Sequence, residues 1–420
     1  MQTLLTYSKK TTIMRIAILA IVLFAAFMPA NAQQPFRFDN KAYKAVYLNE
    51  AVQLMNSHPG YLLLDVRSPG EYADTSEATH MNMGRLKGAV NIDIDSFQQH
   101  LADLKKYSDK NIFVYCSHSQ RSRRVSKILS DNGFTNVYNI NGGMSVVNES
   151  SADIFPLKNK VFVNDNAYNN VASTDALNII QQPGTLIIDL RSKEGFASKD
   201  AAPSNDIGYL KNAVNIPISE FPATFKTLNV PKGKTILLYD QYGYTSTDAA
   251  VQLAKMGYTH VNSLFEGLTA FMCDNHVTQA QINKVIINPP AFHVIGVRES
   301  INLLTQYKDF VVLDARPADQ FDNKSSKEYL NVGRFKNAVS VATPDALDAA
   351  IKNVNKNARI FVYGSSGSNL DETTCKALVD KGFKNVYFLY QGIGRFAWAS
   401  FNIENCKDGI NFLTDHDGLY

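Results

Sequence analysis

The sequence is short of close-set cysteines, of charge of one sign and of long apolar runs, and each shortage removes a class of protein. Its 420 residues hold four cysteines, none at metal-ligand spacing, so no metal centre and no cofactor is expected. Lysine and arginine number 42 against 39 acidic residues, with no basic run, so nucleic acid is not an expected partner. The one apolar run that could enter a membrane, Ile16 to Phe27, is too short to span it. Lys9, Lys10 and Arg15 precede it and Pro29-Ala30-Asn31-Ala32 follows, which is a signal-peptide pattern with cleavage expected after Ala32. A periplasmic or secreted, electrically neutral mature chain with no membrane span is the expectation.

What is present is a globular composition, 45% hydrophobic and 19% charged, and a repeat. Leu62-Leu-Leu-Asp65-Val-Arg67 returns as Leu186-Ile-Ile-Asp189-Leu-Arg191 and as Val311-Val-Leu-Asp314-Ala-Arg316. Lys87-Gly-Ala-Val-Asn91 returns as Lys211-Asn-Ala-Val-Asn215 and Lys336-Asn-Ala-Val-Ser340, and Gly142, Gly267 and Gly392 provide a third landmark. A period near 125 residues is too long for a solenoid unit, so each copy is expected to be a whole domain. Short apolar runs at 61–66, 112–115 and 137–140 predict buried strands. Val125, Ile128 and Leu129 predict a helix that stops before Asn132-Gly133. Strand, helix, strand implies a parallel pair. The expected fold is α/β: three tandem domains at 42–150, 160–275 and 290–402, each a mostly parallel sheet flanked by helices. A signal peptide at 1–32 and a tail at 403–420 bracket them, and 148–165 and 273–297 read as linkers with some structure of their own.

One loop separates the first copy from the others. Its strand ends at Cys116, and Ser117, His118, Ser119, Gln120, Arg121 and Ser122 lead into the helix. Backbone N–H groups in a strand-to-helix turn can point inward at an anion, and the helix terminus adds partial positive charge. Both favour a reactive thiolate. Arg121 is expected to bind an anionic substrate or to organise the loop. Asp240 stands at the cysteine position in the second copy, as a general base, a metal ligand or a helix cap, and Gly364 stands there in the third.

Asp65-Val-Arg67, Glu71-Tyr72, Gly88-Ala89-Val90-Asn91, Cys116-x4-Arg121-Ser122, Gly133-Phe134 and Asn141-Gly142-Gly143, in this order, resemble a rhodanese domain. The resemblance covers about 42–150, and its framework continues to about residue 400. It implies a sulfurtransferase that moves a sulfane sulfur from a small anionic donor such as thiosulfate to a thiol or cyanide acceptor, through a persulfide on Cys116. Cys116 and Arg121 would be catalytic, the loop residues Ser117, His118, Ser119, Gln120 and Ser122 would cradle substrate, and Asp65 and Arg67 would be framework. Four residues separate Cys116 from Arg121, whereas the related phosphatases use five, so phosphatase activity is disfavoured. Copies two and three lack the nucleophile and are expected to be inert. Two departures stand out: Ser119 where glycine is usual, and Met144-Ser145-Val146 where an aromatic residue often follows. The alternatives are a non-catalytic binding or scaffold protein of the cell envelope and a thiol peroxidase or redox sensor. His118 either pairs with the thiolate or donor or is an exposed loop residue, and Arg123 and Arg124 would add positive potential for an anionic donor. Cys375 is expected in the core, and Cys273 and Cys406 could form a disulfide, a pairing that depends on how close their Cα atoms lie, which the sequence leaves open.

Overall fold

The computed structural model describes residues 42–200, 205–365 and 370–416. The expected signal segment lies outside the described residues. Three five-stranded sheets stand in tandem, and every strand pair within them is parallel. In the first, the order across the sheet is Lys44–Val46, Val137–Ile140, Ile112–Tyr115, Leu62–Asp65, Val90–Asn91. The second and third sheets repeat that order with Asn169–Val171 and His293–Ile295 as the first edge strand. The strands Leu62–Asp65 and Ile112–Tyr115 are buried along their whole length because helices cover both faces, which is why they read as unbroken apolar runs. Helix Gln120–Asp131 buries Val125 and Leu129 with Ile128 packed alongside, and it ends at Asn132 with Gly133 at φ +85°. The expected three α/β domains are therefore present.

The segments that read as linkers complete the domains they follow. Phe162–Val163 pairs antiparallel with Arg85–Leu86, Ile286–Ile287 with Tyr209–Leu210, and Leu413–Thr414, from the stretch expected to be a tail, with Arg334–Phe335. The third landmark also shifts by one residue, because the equivalents of Gly267 and Gly392 are Gly143 rather than Gly142. Each lies against the carbonyl that opens its loop: a Cβ on Gly143, Gly267 or Gly392 would sit 2.1, 2.7 or 2.3 Å from the oxygen of Cys116, Asp240 or Gly364. The amides of Met144, Leu268 and Ile393 donate to those same oxygens.

The domains pack loop against loop. Phe265 of the second domain joins an apolar cluster of the first, and Val146 of the first packs on a cluster of the third. Thr79 and Thr247 share a 2.7 Å hydrogen bond, Arg395 pairs with Glu149 at 2.6 Å, and Gln241 donates to the Tyr390 hydroxyl at 3.0 Å. Among the described residues no helix is long and apolar enough to cross a membrane. All four cysteines are free, so Cys273 and Cys406 are not joined as a disulfide. Cys406 instead lies against the Asn275 and Asn405 side-chain oxygens, and Cys375 is in the core.

Candidate active site

Cys116 sits where strand Ile112–Tyr115 delivers it, at the carboxyl edge of a central strand, with 1% of its surface exposed. The turn from Ser117 to the helix requires a left-handed residue, and Ser119 takes it at φ +74°, as Gly243 does at +80° in the second copy. A side chain there costs about 1–2 kcal/mol. Ser119 offsets part of this because its hydroxyl accepts from the Gly142 amide at 2.6 Å. The departure from glycine is thus tied into the segment behind the loop. Ser119→Ala keeps the strain and loses the hydrogen bond, whereas Ser119→Gly loses both. Thermal unfolding should therefore show the alanine variant less stable than the glycine variant by about 1 kcal/mol.

The other loop side chains divide by direction. Ser122 is buried, and its hydroxyl donates to Asn139 Oδ1 at 2.7 Å, so it faces the fold. Ser117 is buried, and its hydroxyl accepts from Arg121 Nη2 at 3.1 Å. Gln120 is exposed at the first helical position, and His118 is partly exposed. Arg121 has its fork closed on Glu71, Nη1 to Oε2 and Nη2 to Oε1, both at 2.6 Å. Burial pushes the Glu71 carboxyl up, but the hydrogen bonds from Arg121 and Ser68 overcome this and leave it below its ordinary range. Of the two expected roles, organising the loop is the one the geometry displays. Glu71 also closes a capping box with Ser68, so one carboxylate fixes both a helix start and the loop arginine.

Arg123 does not face an incoming anion as expected. It is buried and reaches Asn141 Oδ1 at 3.0 Å and Asn402 Oδ1 of the third domain at 3.3 Å, while Arg124 is exposed. Asp65 and Arg67 are framework. Both are fully buried and paired at 2.7 Å, and Arg67 also donates to the Gly84 carbonyl. Asp189–Arg191 with Gly208 and Asp314–Arg316 with Gly333 repeat the arrangement.

The second copy displays what this turn binds. The Asp240 carboxylate, at the cysteine position, accepts from the backbone amides of Tyr242 at 3.0 Å and Ser246 at 3.1 Å, from those of Gly243 and Thr245, and from the Thr245 hydroxyl. Of the roles open to it, Asp240 is the cap, with both oxygens occupied by its own loop. By position the matching amides in the first copy are those of His118, Ser119, Arg121 and Ser122. In the third copy a Cβ on Gly364 would lie 2.5 Å from an Asp371 side-chain oxygen, so a side chain there would have to displace Asp371. Among the described residues no group of acidic, histidine and cysteine side chains could hold a metal.

Three residues outside the loop were invisible as site residues in the sequence. Trp398 Nε1 donates to the His118 carbonyl at 3.2 Å, Glu266 Oε1 lies 3.7 Å from His118 Nε2, and Asn402 accepts from the Gly142 amide at 3.1 Å. Two come from the third domain and one from the second, and no local pattern marks a contact across some 150 to 280 residues.

A family model described as the rhodanese-like domain matches residues 48–150, 172–273 and 298–399. Among curated proteins, the chain is 28% identical over 156 residues to a tRNA uridine(34) hydroxylase of Buchnera aphidicola, covering 35% of this chain and 47% of that one. It is 35% identical over 81 residues to the uncharacterized protein YqhL of Bacillus subtilis, covering 19% and 56%. The chain thus spans about half the length of these curated relatives. Among solved structures it is similar to a thiosulfate sulfurtransferase from Pseudomonas aeruginosa, with 14% identity, 90% of this chain and 74% of that one covered, and a TM-score of 0.23. With three matched segments that each hold four of the five strands of one parallel sheet, the chain belongs to the rhodanese-like domain family.

Proposed function

We propose that the chain is a sulfurtransferase whose first domain carries the transferred sulfur as a persulfide on Cys116. The observation that carries this reading is the Asp240 cradle: the same turn in the second copy holds an anion on four backbone amides. In the first copy the Cys116 side chain takes the place of that carboxylate at the start of the same turn. The Cys116 thiolate attacks the outer sulfur of a donor such as thiosulfate. An S–S bond forms, the donor's own S–S bond breaks, and sulfite leaves with the electron pair. An acceptor thiolate, or cyanide, then attacks that outer sulfur and returns an electron pair to Cys116. The second and third domains have no sulfur nucleophile in the loop and serve as walls and supports. Taking residues 1–32 as a leader, we place the mature protein in the periplasm or outside the cell.

Incubation of the full chain with thiosulfate or 3-mercaptopyruvate, followed by intact-mass measurement, should show a gain of one sulfur atom. No gain with either donor would overturn the reading. It would favour a binding scaffold, which has two observations in its support: the low exposure of Cys116 and the closure of Arg121 on Glu71.

A further inference from the structure

Against His118, at the rim of the first-domain loop, lies a cleft of about 260 Å³ whose walls come from all three domains. His80 and His118 belong to the first, Tyr242, Tyr244 and Glu266 to the second, and Gln391 to the third. Glu266 and Gln391 occupy the position that is Gly142 in the first copy, ahead of the helix that follows the last strand. All three have left-handed backbones, at φ +54°, +61° and +74°. Glycine adopts this conformation freely, whereas a glutamate there costs about 1–2 kcal/mol. A strained side chain aimed into a cleft beside a reactive loop is a reason to ask what it does there.

Glu266 Oε1 lies 3.7 Å from His118 Nε2. Burial pushes the Glu266 carboxyl up, but the His118 hydrogen bond and the Arg395 charge outweigh it and hold the group below its ordinary range, so it is a carboxylate near neutrality. A carboxylate facing Nε2 stabilises the tautomer protonated there and leaves Nδ1 as a proton acceptor. Sulfur transfer to a thiol needs such a base, because an ordinary thiol is mostly protonated near neutral pH.

We propose that His118 is the general base that deprotonates a thiol acceptor in this cleft, and that Glu266, supplied by the second domain, is the positioning residue that orients it. The proposal rests on the Cys116 persulfide reading above. The acceptor R–SH gives its proton to His118 Nδ1, and its sulfur bonds to the outer sulfur of the persulfide. The bond from that sulfur to Cys116 Sγ breaks with its electron pair going to Sγ. The product is R–S–SH, and the proton on His118 passes to water. The second domain, though it lacks a nucleophile, thereby takes part in the second half-reaction.

The test uses the full chain, loaded with thiosulfate and freed of donor, and follows loss of the added sulfur by intact mass. Discharge is compared between 2-mercaptoethanol, which must lose a proton, and sulfite, which at pH 8 arrives largely as a ready nucleophile. His118→Asn should lower the thiol-to-sulfite rate ratio about 10²-fold. Glu266→Gln should lower it roughly tenfold, with partial recovery in Glu266→Asp. An unchanged ratio in both variants would overturn the dyad while leaving the persulfide reading intact. Failure of the unaltered protein to load from any donor would overturn both.

Discussion

Cys116→Ser is expected to abolish sulfur loading entirely while leaving the fold in place. Serine is nearly isosteric with cysteine, and the buried position needs no sulfur for packing that a hydroxyl cannot approximate within about 1 kcal/mol. The chemistry does not survive, because an alkoxide is not accessible near neutral pH and an oxygen nucleophile cannot form a persulfide. No other cysteine can substitute. Burial pushes the Cys273 and Cys375 thiols far above their ordinary range and Cys406 up to about 12, and none of the three stands at a loop equivalent to that of Cys116. The check is intact mass after thiosulfate treatment, with circular dichroism to show that the variant is folded. Residual loading in the variant would locate the reactive sulfur elsewhere.

The second large effect is on stability. Asp65→Asn should destabilise the first domain by about 3–5 kcal/mol, the cost of removing one partner from a buried ion pair. Both side chains are fully buried, and the Asp65 carboxylate accepts from the Arg67 amide at 3.0 Å as well as from the guanidinium. Arg67 Nη1 already has no partner among the described residues, so the guanidinium has no spare acceptor to turn to. Replacing both residues by leucine and methionine should cost less than Asp65→Asn alone, because no uncompensated charge is left. Urea unfolding followed by the amplitude of sulfur loading isolates the first domain from the other two. A shift equivalent to less than about 1 kcal/mol would show that water or a neighbouring group compensates the arginine.

Which features were legible in the sequence follows from the range of the forces involved. The central strands were readable because both faces are covered, so Leu62–Asp65 and Ile112–Tyr115 are runs of apolar residues that no solvent-facing element would carry. The Asp–Arg framework was readable because it closes over two residues and recurs three times. The loop was readable because Cys116 through Ser122 is contiguous. The two-residue antiparallel ribbons were not, since Phe162–Val163 is too short to carry a period and its partner lies some 75 residues earlier. For the same reason 148–165 read as a linker and 403–420 as a tail. The site was half legible. Arg121 was found but not its partner Glu71, 50 residues earlier, and Arg123 was read as positive potential near an anionic donor because nothing local points it at Asn402. Cys273 and Cys406 look like a pair by elimination, but elimination does not fix where side chains lie.

The repeat suggests one further lesson about the two copies without cysteine. In the second, the anion cradle persists and is filled by Asp240, and in the third, Asp371 crowds the place where a side chain at 364 would stand. Neither presents a nucleophile at this position, while Glu266, Tyr242 and Gln391 extend the walls around the first. Loss of one chemistry and gain of a supporting surface are compatible because the loop backbone and the positions flanking it are separate parts of the same turn.

The most direct measurement is the location of the transferred sulfur in the full chain. After thiosulfate loading, alkylation and proteolysis, the account predicts an added sulfur on the peptide that contains Cys116 and none on the peptides of Cys273, Cys375 and Cys406. Sulfur on any of those three, or none on Cys116 in a chain that does load, would contradict it.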